Sequence, residues 1–336
     1  MKNTIPDTMQ AVQVLSYGTD FDSLQIAEVP TPKPGRGQVL IKVTAAPINP
    51  SDLLFIRGQY GIKRPTPTIP GFEGAGIVVA AGPGPFGKRL IGKRVACPVP
   101  QDSDGSWAEY VICIAMQCIK LPSDISDEQG AMLLANPMTA IAILDEAKTR
   151  GHQAMIHTAA ASALGRVLLH VSNQANYPVI HIVRREEQVN MLKAQGGKYI
   201  LSSSEPDFQY QLKELAGRLK ATIAFDAVSG EITGQLIDCM PTDSSVLIYG
   251  LLSSAPMPID PHQLIFYKKQ VEGFWLPNWI QQRGVVKTIL TIRKAIKLVR
   301  AGFSSQIAEK VPLNAIYDAI AEYERNMTRG KVLLVP

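Results

Sequence analysis

Residues 48 to 61 read INPSDLLFIRGQYG, a stretch with the look of a redox site that carries Asn49, Asp52 and Tyr60 but no cysteine. The chain's four cysteines, Cys97, Cys113, Cys118 and Cys239, form no CxxC pair, and no histidine stands at ligand spacing from Cys113 or Cys118. That spacing writes neither a zinc site nor a disulfide framework, so no metal is expected and all four are read as buried or reduced thiols. Serine, histidine and aspartate occur without a GxSxG elbow, which leaves a hydrolase without support. His157, on an apolar strand, reads as a packed core histidine.

A second candidate lies at 158 to 165. The strand-like QAMIHT runs directly into AAASALG and a helical pattern, where a dinucleotide fold keeps its phosphate-binding turn. Small side chains at Ala159, Ala160, Ala161, Ser162, Ala163 and Gly165 would let backbone amides and the helix start approach a pyrophosphate. Only Gly165 remains of a GxGxxG pattern, and such a loop alone serves helix–strand packing equally well. Nineteen residues past Gly165 the next strand, PVIHIV, ends in Arg184 and Arg185, where an NAD-binding fold would set an acid against the ribose 2′-hydroxyl. Arginine there suits a 2′-phosphate. Two cations opening a helix also oppose its dipole and call for an anion. NADPH is the expected cofactor.

The elements that would position these residues fall into three stretches. Up to about residue 130, short runs such as VLIKVTA, AGIVVAAG, KRVACPV and AEYVICI are bounded by Gly and Pro clusters and read as strands of a mostly β, barrel-like domain. Between about 125 and 150 the apolar spacing turns helical, with Ser126 as its N-cap. From 153 strands and helices alternate, the signature of a doubly wound parallel sheet that binds ligands at the carboxyl ends of its strands. After about 270 come VEGFWL, a long helical run from 285, a second helix NAIYDAIAEYERNM and a final apolar run KVLLVP, a tail expected to fold back on an earlier domain.

Composition narrows the partners. The chain has 336 residues with 34 basic and 29 acidic side chains, a formal charge of +5. Its basic residues are scattered singly or in pairs rather than set in a stripe, so nucleic acid is not expected as a partner. No apolar run reaches the ~18 residues a membrane span needs, and the start MKNTIPDTMQ lacks a leader pattern, so a cytoplasmic protein without membrane contact is expected.

The whole resembles the medium-chain dehydrogenase/reductases, and within them the zinc-independent trans-2-enoyl reductases and quinone oxidoreductases. The resemblance rests on INPSD, GQYG, PGFEGAGIVVAAG, GSWAEY, ANPMTA, TAAASALG, FDAVSG, GFWLPNW and RGKVLL, in this order along nearly the full length. It implies a Rossmann parallel sheet inserted into a GroES-like barrel catalytic domain. The expected limits are 1–130 for the N-terminal part of the catalytic domain, 131–270 for the NADPH-binding domain and 271–336 for the returning part, with cofactor and substrate held between the domains in a homodimer. Zinc-dependent members carry a cysteine in the stretch aligned with INPSD and a histidine before the Glu of GFEG; here no cysteine occupies 46 to 52, and Phe72 precedes Glu73.

The same resemblance assigns roles. Tyr60 becomes the hydroxyl that polarises a substrate carbonyl and helps supply a proton, since a phenol of ordinary pKa ~10 is protonated at pH 7. Asn49 and Thr139 line the nicotinamide pocket. Ser162, Ala163, Leu164, Gly165, Arg184, Arg185 and Tyr199 belong to the cofactor site, and Gly250, Leu251, Phe274 and Trp275 hold the carboxamide. Lys331 lies near the cofactor, while Trp275 and Trp279 wall an acyl channel. Glu73 and Asp52 are read as structural, bonding backbone amides. Ala163 stands where the family pattern has a glycine. The function implied is NADPH-dependent reduction of an activated C=C bond in an enoyl thioester or small enone. The alternatives are an NADPH:quinone oxidoreductase and a non-catalytic NADPH-binding protein.

Overall fold

A computed structural model describes residues 5–18 and 21–336. Residues 1–4, the first of the stretch MKNTIPDTMQ, lie outside the described residues. The chain divides into two compact units: Met1–Ala135 together with Val299–Pro336, and Asn136–Leu298, which is inserted between those two segments in sequence.

In the first unit the runs bounded by Gly and Pro become β1 (Thr8–Val14), β2 (Leu24–Pro30), β3 (Gln38–Pro47), β4 (Glu73–Ala81), β5 (Arg94–Pro98), β6 (Tyr110–Ile114) and β7 (Ile119–Lys120). β1 and β2 make an antiparallel hairpin. β3 pairs antiparallel with both β4 and β6, β4 with β5, and β5 with β7. Val39, Ile41, Val43, Phe55, Val95 and Trp107 are among the fully buried side chains of this unit's core, each contributing on the order of 2 kcal/mol by leaving water.

The single helix expected near 125–150 is two. Ser126 caps Asp127–Ala131, its hydroxyl accepting from Gln129 N–H, and a second helix starts at Ala135 and runs to Thr149. Pro137 explains the break: its ring would clash with the carbonyl four residues back, at Leu133, so a helix can begin just before it but cannot run through it.

The second unit contains β8 (Ala154–His157), β9 (Val179–Val183), β10 (Tyr199–Ser202), β11 (Ala221–Asp226), β12 (Ser245–Ile248) and β13 (Gln270–Gly273). All pair in parallel, in the order β10-β9-β8-β11-β12-β13. The order reverses direction at β8 and β11, the switch point where such sheets take ligands. All five residues of β9 are buried, as expected of a strand covered on both faces.

β13 is the sixth strand of this sheet, although the sequence pattern set the start of the returning tail at 271. The helix that follows, Leu276–Arg300, kinks at Gly284 (φ 75°). It is held to the helix Ala135–Thr149 by Arg283–Glu146 at 2.7 Å and Lys287–Asp145 at 2.5 Å. Residues 271–298 therefore pack with the parallel sheet, and the chain re-enters the first unit at Val299. There β14 (Ile307–Val311) lies parallel to β15 (Lys331–Leu334), which pairs antiparallel with β3. No helix among the described residues is long and apolar enough to cross a membrane.

Candidate active site

At the switch point, β8 ends at His157 and the chain passes through Thr158 and Ala159 to Ser162, the N-cap of the helix Ala163–Gln174. Ser162 Oγ accepts the Gly165 N–H at 3.1 Å, satisfying one of the amides a helix start leaves unpaired. Gly165 lies against the loop so closely that a Cβ there would fall 2.2 Å from Ala160 O.

The backbone strain in this loop is not at Ala163, the first residue of the helix. Ala159 instead takes φ +47°, a left-handed conformation that costs a non-glycine residue about 1–2 kcal/mol. Ala159→Gly is therefore expected to raise stability by about 1 kcal/mol once glycine's greater unfolded-state freedom is counted. Urea unfolding checks it; an unchanged midpoint would mean the loop carries no strain.

β9 delivers Arg184 and Arg185, both exposed. Gln188 Oε1 accepts their backbone N–H groups at 3.0 and 3.2 Å, which fixes the turn. Arg185 pairs with Glu187 at 3.0 Å, the anion that a cation at a helix start calls for. Among the described residues Arg184 has no carboxylate partner.

Asp226, buried at the end of β11, ties the strand ends together. Its Oδ1 accepts from Thr158 Oγ1 at 2.7 Å and Val228 N at 2.8 Å, and its Oδ2 accepts from Thr233 Oγ1 at 2.7 Å. Beyond β12, Tyr249 N–H donates to Asp226 O and Phe274 N–H to Ile248 O, while the Phe274 ring meets Phe225 edge-on at 5.7 Å. Gly250 and Trp275 are half-buried and Leu251 is exposed.

Two other predicted residues have structural surroundings. Tyr199 opens β10 and packs on the sheet's core. Trp279 is 3% exposed, its indole N–H donating to Glu146 at 3.1 Å, a contact that anchors the kinked helix. His157 and His181 are register partners on β8 and β9, both buried. Burial, with His181 adding to it, pushes His157 down to about 3, and burial pushes His181 down to about 4, so both are neutral. His157 Nε2 lies 2.7 Å from the Tyr249 hydroxyl.

In the first unit one short helix, Pro50–Ile56, contains Asp52 and sets the places of Asn49 and Tyr60 at its two ends. Asn49 is its N-cap, and Tyr60 lies just past its end with N–H donating to Leu54 O at 3.1 Å. Tyr60 is half-buried, its ring 5.0 Å from that of Phe72. Asn49, Asp52, Glu73 and Lys331 are all buried and lie together. Asn49 Nδ2 donates to Glu73 Oε1 at 3.0 Å, and Lys331 Nζ donates to Asn49 Oδ1. Burial raises the carboxyl groups of Asp52 and Glu73 and lowers the Lys331 ammonium.

Glu73 and Asp52 bond backbone amides, but the link from Glu73 through Asn49 to Lys331 escapes sequence reasoning because 282 residues separate the last two. The available signal is a lysine set in the apolar run KVLL.

These parts fit a nicotinamide dinucleotide. The small-residue loop and the twelve-residue helix behind it could take a pyrophosphate, and the exposed, carboxylate-free Arg184 a ribose phosphate. Among the described residues no group of three or more His, Cys, Asp or Glu is placed to hold a metal ion.

Comparison with known proteins agrees with this geometry. Residues 35–123 match the model of the alcohol dehydrogenase GroES-like domain, and residues 163–291 that of the zinc-binding dehydrogenase domain. The mitochondrial enoyl-[acyl-carrier-protein] reductase of Dictyostelium discoideum is 30% identical, the match covering 97% of this chain and 95% of the relative. Its human counterpart is 26% identical over 96% of this chain and 88% of its own. Among solved structures, a putative NADPH:quinone reductase from Mesorhizobium loti superposes with TM-score 0.91 at 38% identity, covering 99% of this chain and all of that one. A mycobacterial protein complexed with NADPH superposes with TM-score 0.82 at 25% identity over 98% of this chain and all of its own.

Proposed function

The chain belongs to the medium-chain dehydrogenase/reductase family of oxidoreductases, and from that premise we propose that it is an NADPH-dependent reductase of a C=C bond conjugated to a carbonyl, with an enoyl thioester as substrate. The observation that carries this reading is the half-buried Tyr60, held against Phe72 by the helix that Asn49 caps. When bound, NADPH would supply a hydride for the β-carbon.

The chain's own residues bind, orient and move the proton. Arg184 takes the ribose phosphate, and the helix start at Ser162–Gly165 faces the pyrophosphate. Asn49 in the first unit and Thr139, Gly250, Leu251, Phe274 and Trp275 in the second are the residues assigned to the nicotinamide. Tyr60 donates a hydrogen bond to the substrate carbonyl oxygen, which stabilises the charge that develops there, and it helps deliver the α-proton directly or through water. Among the described residues β13 is an edge strand of the parallel sheet, which supports pairing of two copies through this unit.

A quinone reductase is the second reading, favoured by the 38% identity to the Mesorhizobium loti structure. Loss of NADPH absorbance with crotonyl-CoA, a long-chain enoyl-CoA and benzoquinone in parallel separates the two. Reduction of an enoyl thioester that falls at least about tenfold in Tyr60→Phe is the expected result. Reaction with the quinone alone, undiminished in that variant, would overturn the assignment of Tyr60.

A further inference from the structure

The Asn49 carboxamide is stretched between opposite charges. Its oxygen accepts from the Lys331 ammonium, and its nitrogen donates to Glu73 Oε1 at 3.0 Å. Lys331 also donates to Ile48 O at 2.9 Å and lies 5.5 Å from the centre of the Tyr323 ring. The other Glu73 oxygen accepts the N–H groups of Leu134 and Ala135 at 3.1 and 2.8 Å. The Asn49 backbone is fixed separately, its N–H donating to Asp52 Oδ2 at 2.8 Å.

An amide can sit in either of two rotations that exchange its donor and acceptor ends. The reversed rotation would aim the Asn49 NH₂ at an ammonium and its oxygen at a carboxylate, two repulsions in a place water does not screen. The charges therefore choose the rotation. Burying such charges is a weak source of stability, because apolar side chains of similar volume fill such sites at least as well. Each end of the amide keeps one spare position, a second N–H and a second lone pair, and the two charges decide which is presented where.

We propose that Glu73 and Lys331 are positioning residues for the reduction, acting through Asn49 to set which end of its carboxamide meets the nicotinamide half of the cofactor. This rests on the reading above that Asn49 lines the nicotinamide pocket.

The test uses the full chain with Glu73→Gln, Asn49→Ala and the two combined. Glu73→Gln keeps an oxygen for the Leu134 and Ala135 N–H groups, so the helix start survives, but it removes the anion that holds the Asn49 NH₂. In a variant shown by circular dichroism to be folded, NADPH affinity by fluorescence and kcat are each expected to fall about tenfold, the effect of losing one hydrogen bond to a charged group. In the Asn49→Ala background Glu73→Gln is expected to add no further loss, since the group it acts through is gone. Lys331→Met should behave in the same way.

Wild-type affinity and kcat in folded Glu73→Gln, or an equal loss in the Asn49→Ala background, would overturn the positioning role. A parent protein that binds NADPH yet reduces none of the acceptors would overturn the reductase reading alone, because the binding comparison still decides the role of Glu73. A parent that binds no NADPH would sink both.

Discussion

Gly165→Ala is expected to lower stability by about 3 kcal/mol and to weaken NADPH binding by about a hundredfold. The backbone of Gly165 is helical, so alanine is conformationally welcome there and by propensity alone would stabilise by about 1 kcal/mol. The loss is steric: the new methyl would lie 2.2 Å from Ala160 O and 2.6 Å from its carbonyl carbon. Ala160 cannot retreat, since it is fully buried and its N–H donates to Ile182 O at 3.1 Å. The first turn of the helix Ala163–Gln174 must move outward instead. That motion breaks the Ser162–Gly165 cap, loosens the packing of Ala160, Ala161, Leu169 and Val183, and carries the helix-start amides away from the pyrophosphate.

Gly217→Ala is the control. It sits in the helix Phe208–Leu219, and a Cβ there meets nothing within 4 Å, so the same substitution should stabilise by about 1 kcal/mol. Urea unfolding of the two variants, with NADPH titration of the first, checks both signs. Equal effects at the two positions would mean the helix start gives way without cost.

How far the sequence carries depends on how local each signal is. The alternation of buried strands and helices from 153 onward is written in short apolar runs, and every strand and helix read there is present. The helix break at Pro137 was equally local, yet an apolar period running from 125 to 150 masked it. The sheet membership of β13 is a pairing between distant residues: nothing in the four residues QVEG says that they join β12.

The same limit governs the site. Gly165 is legible because only glycine tolerates that approach, and Ser162 because a small hydroxyl before a helix is a cap. The strained position is not legible, since Ala159 and Ala163 look alike until the backbone angles distinguish them. The buried charges are the extreme case. Glu73 reads as a structural acid that bonds backbone amides and Lys331 is set near the cofactor by resemblance alone; only the return of β15 to pair with β3 brings the ammonium to Asn49.

Acid should destabilise the parallel-sheet unit through its two buried histidines. In the unfolded chain an imidazole takes its proton near pH 6.5; in the sheet His157 does so only near 3 and His181 only near 4. Below pH 6.5 the unfolded state therefore binds protons that the folded state refuses. Stability that is fully present above pH 6.5 is lost as pH falls, by at most roughly 3 kcal/mol for each site by pH 4. Among the described residues neither ring has a carboxylate partner to welcome the charge: His157 faces the Tyr249 hydroxyl and His181, and a proton on either histidine opposes one on the other. The Nδ1 atoms of both have no hydrogen-bond partner among the described residues.

Asp52 and Glu73 in the first unit push the opposite way, because carboxyl groups raised by burial hold protons better in the folded state and gain stability as pH falls. The contribution of the histidines is therefore read from variants and not from the parent curve alone. His157→Gln with His181→Gln cannot take a proton, and glutamine at 157 can still bond the Tyr249 hydroxyl. Between pH 6.5 and 4 the double variant should lose several kcal/mol less unfolding free energy than the parent, by urea titration followed with circular dichroism. Because His157 bonds Tyr249, which precedes the Gly250 and Leu251 proposed to meet the cofactor, the parent should also lose NADPH affinity over the same range and the variant should not. Parallel curves for the two proteins would show that the sheet accepts these protons and that burial does not hold the imidazoles neutral.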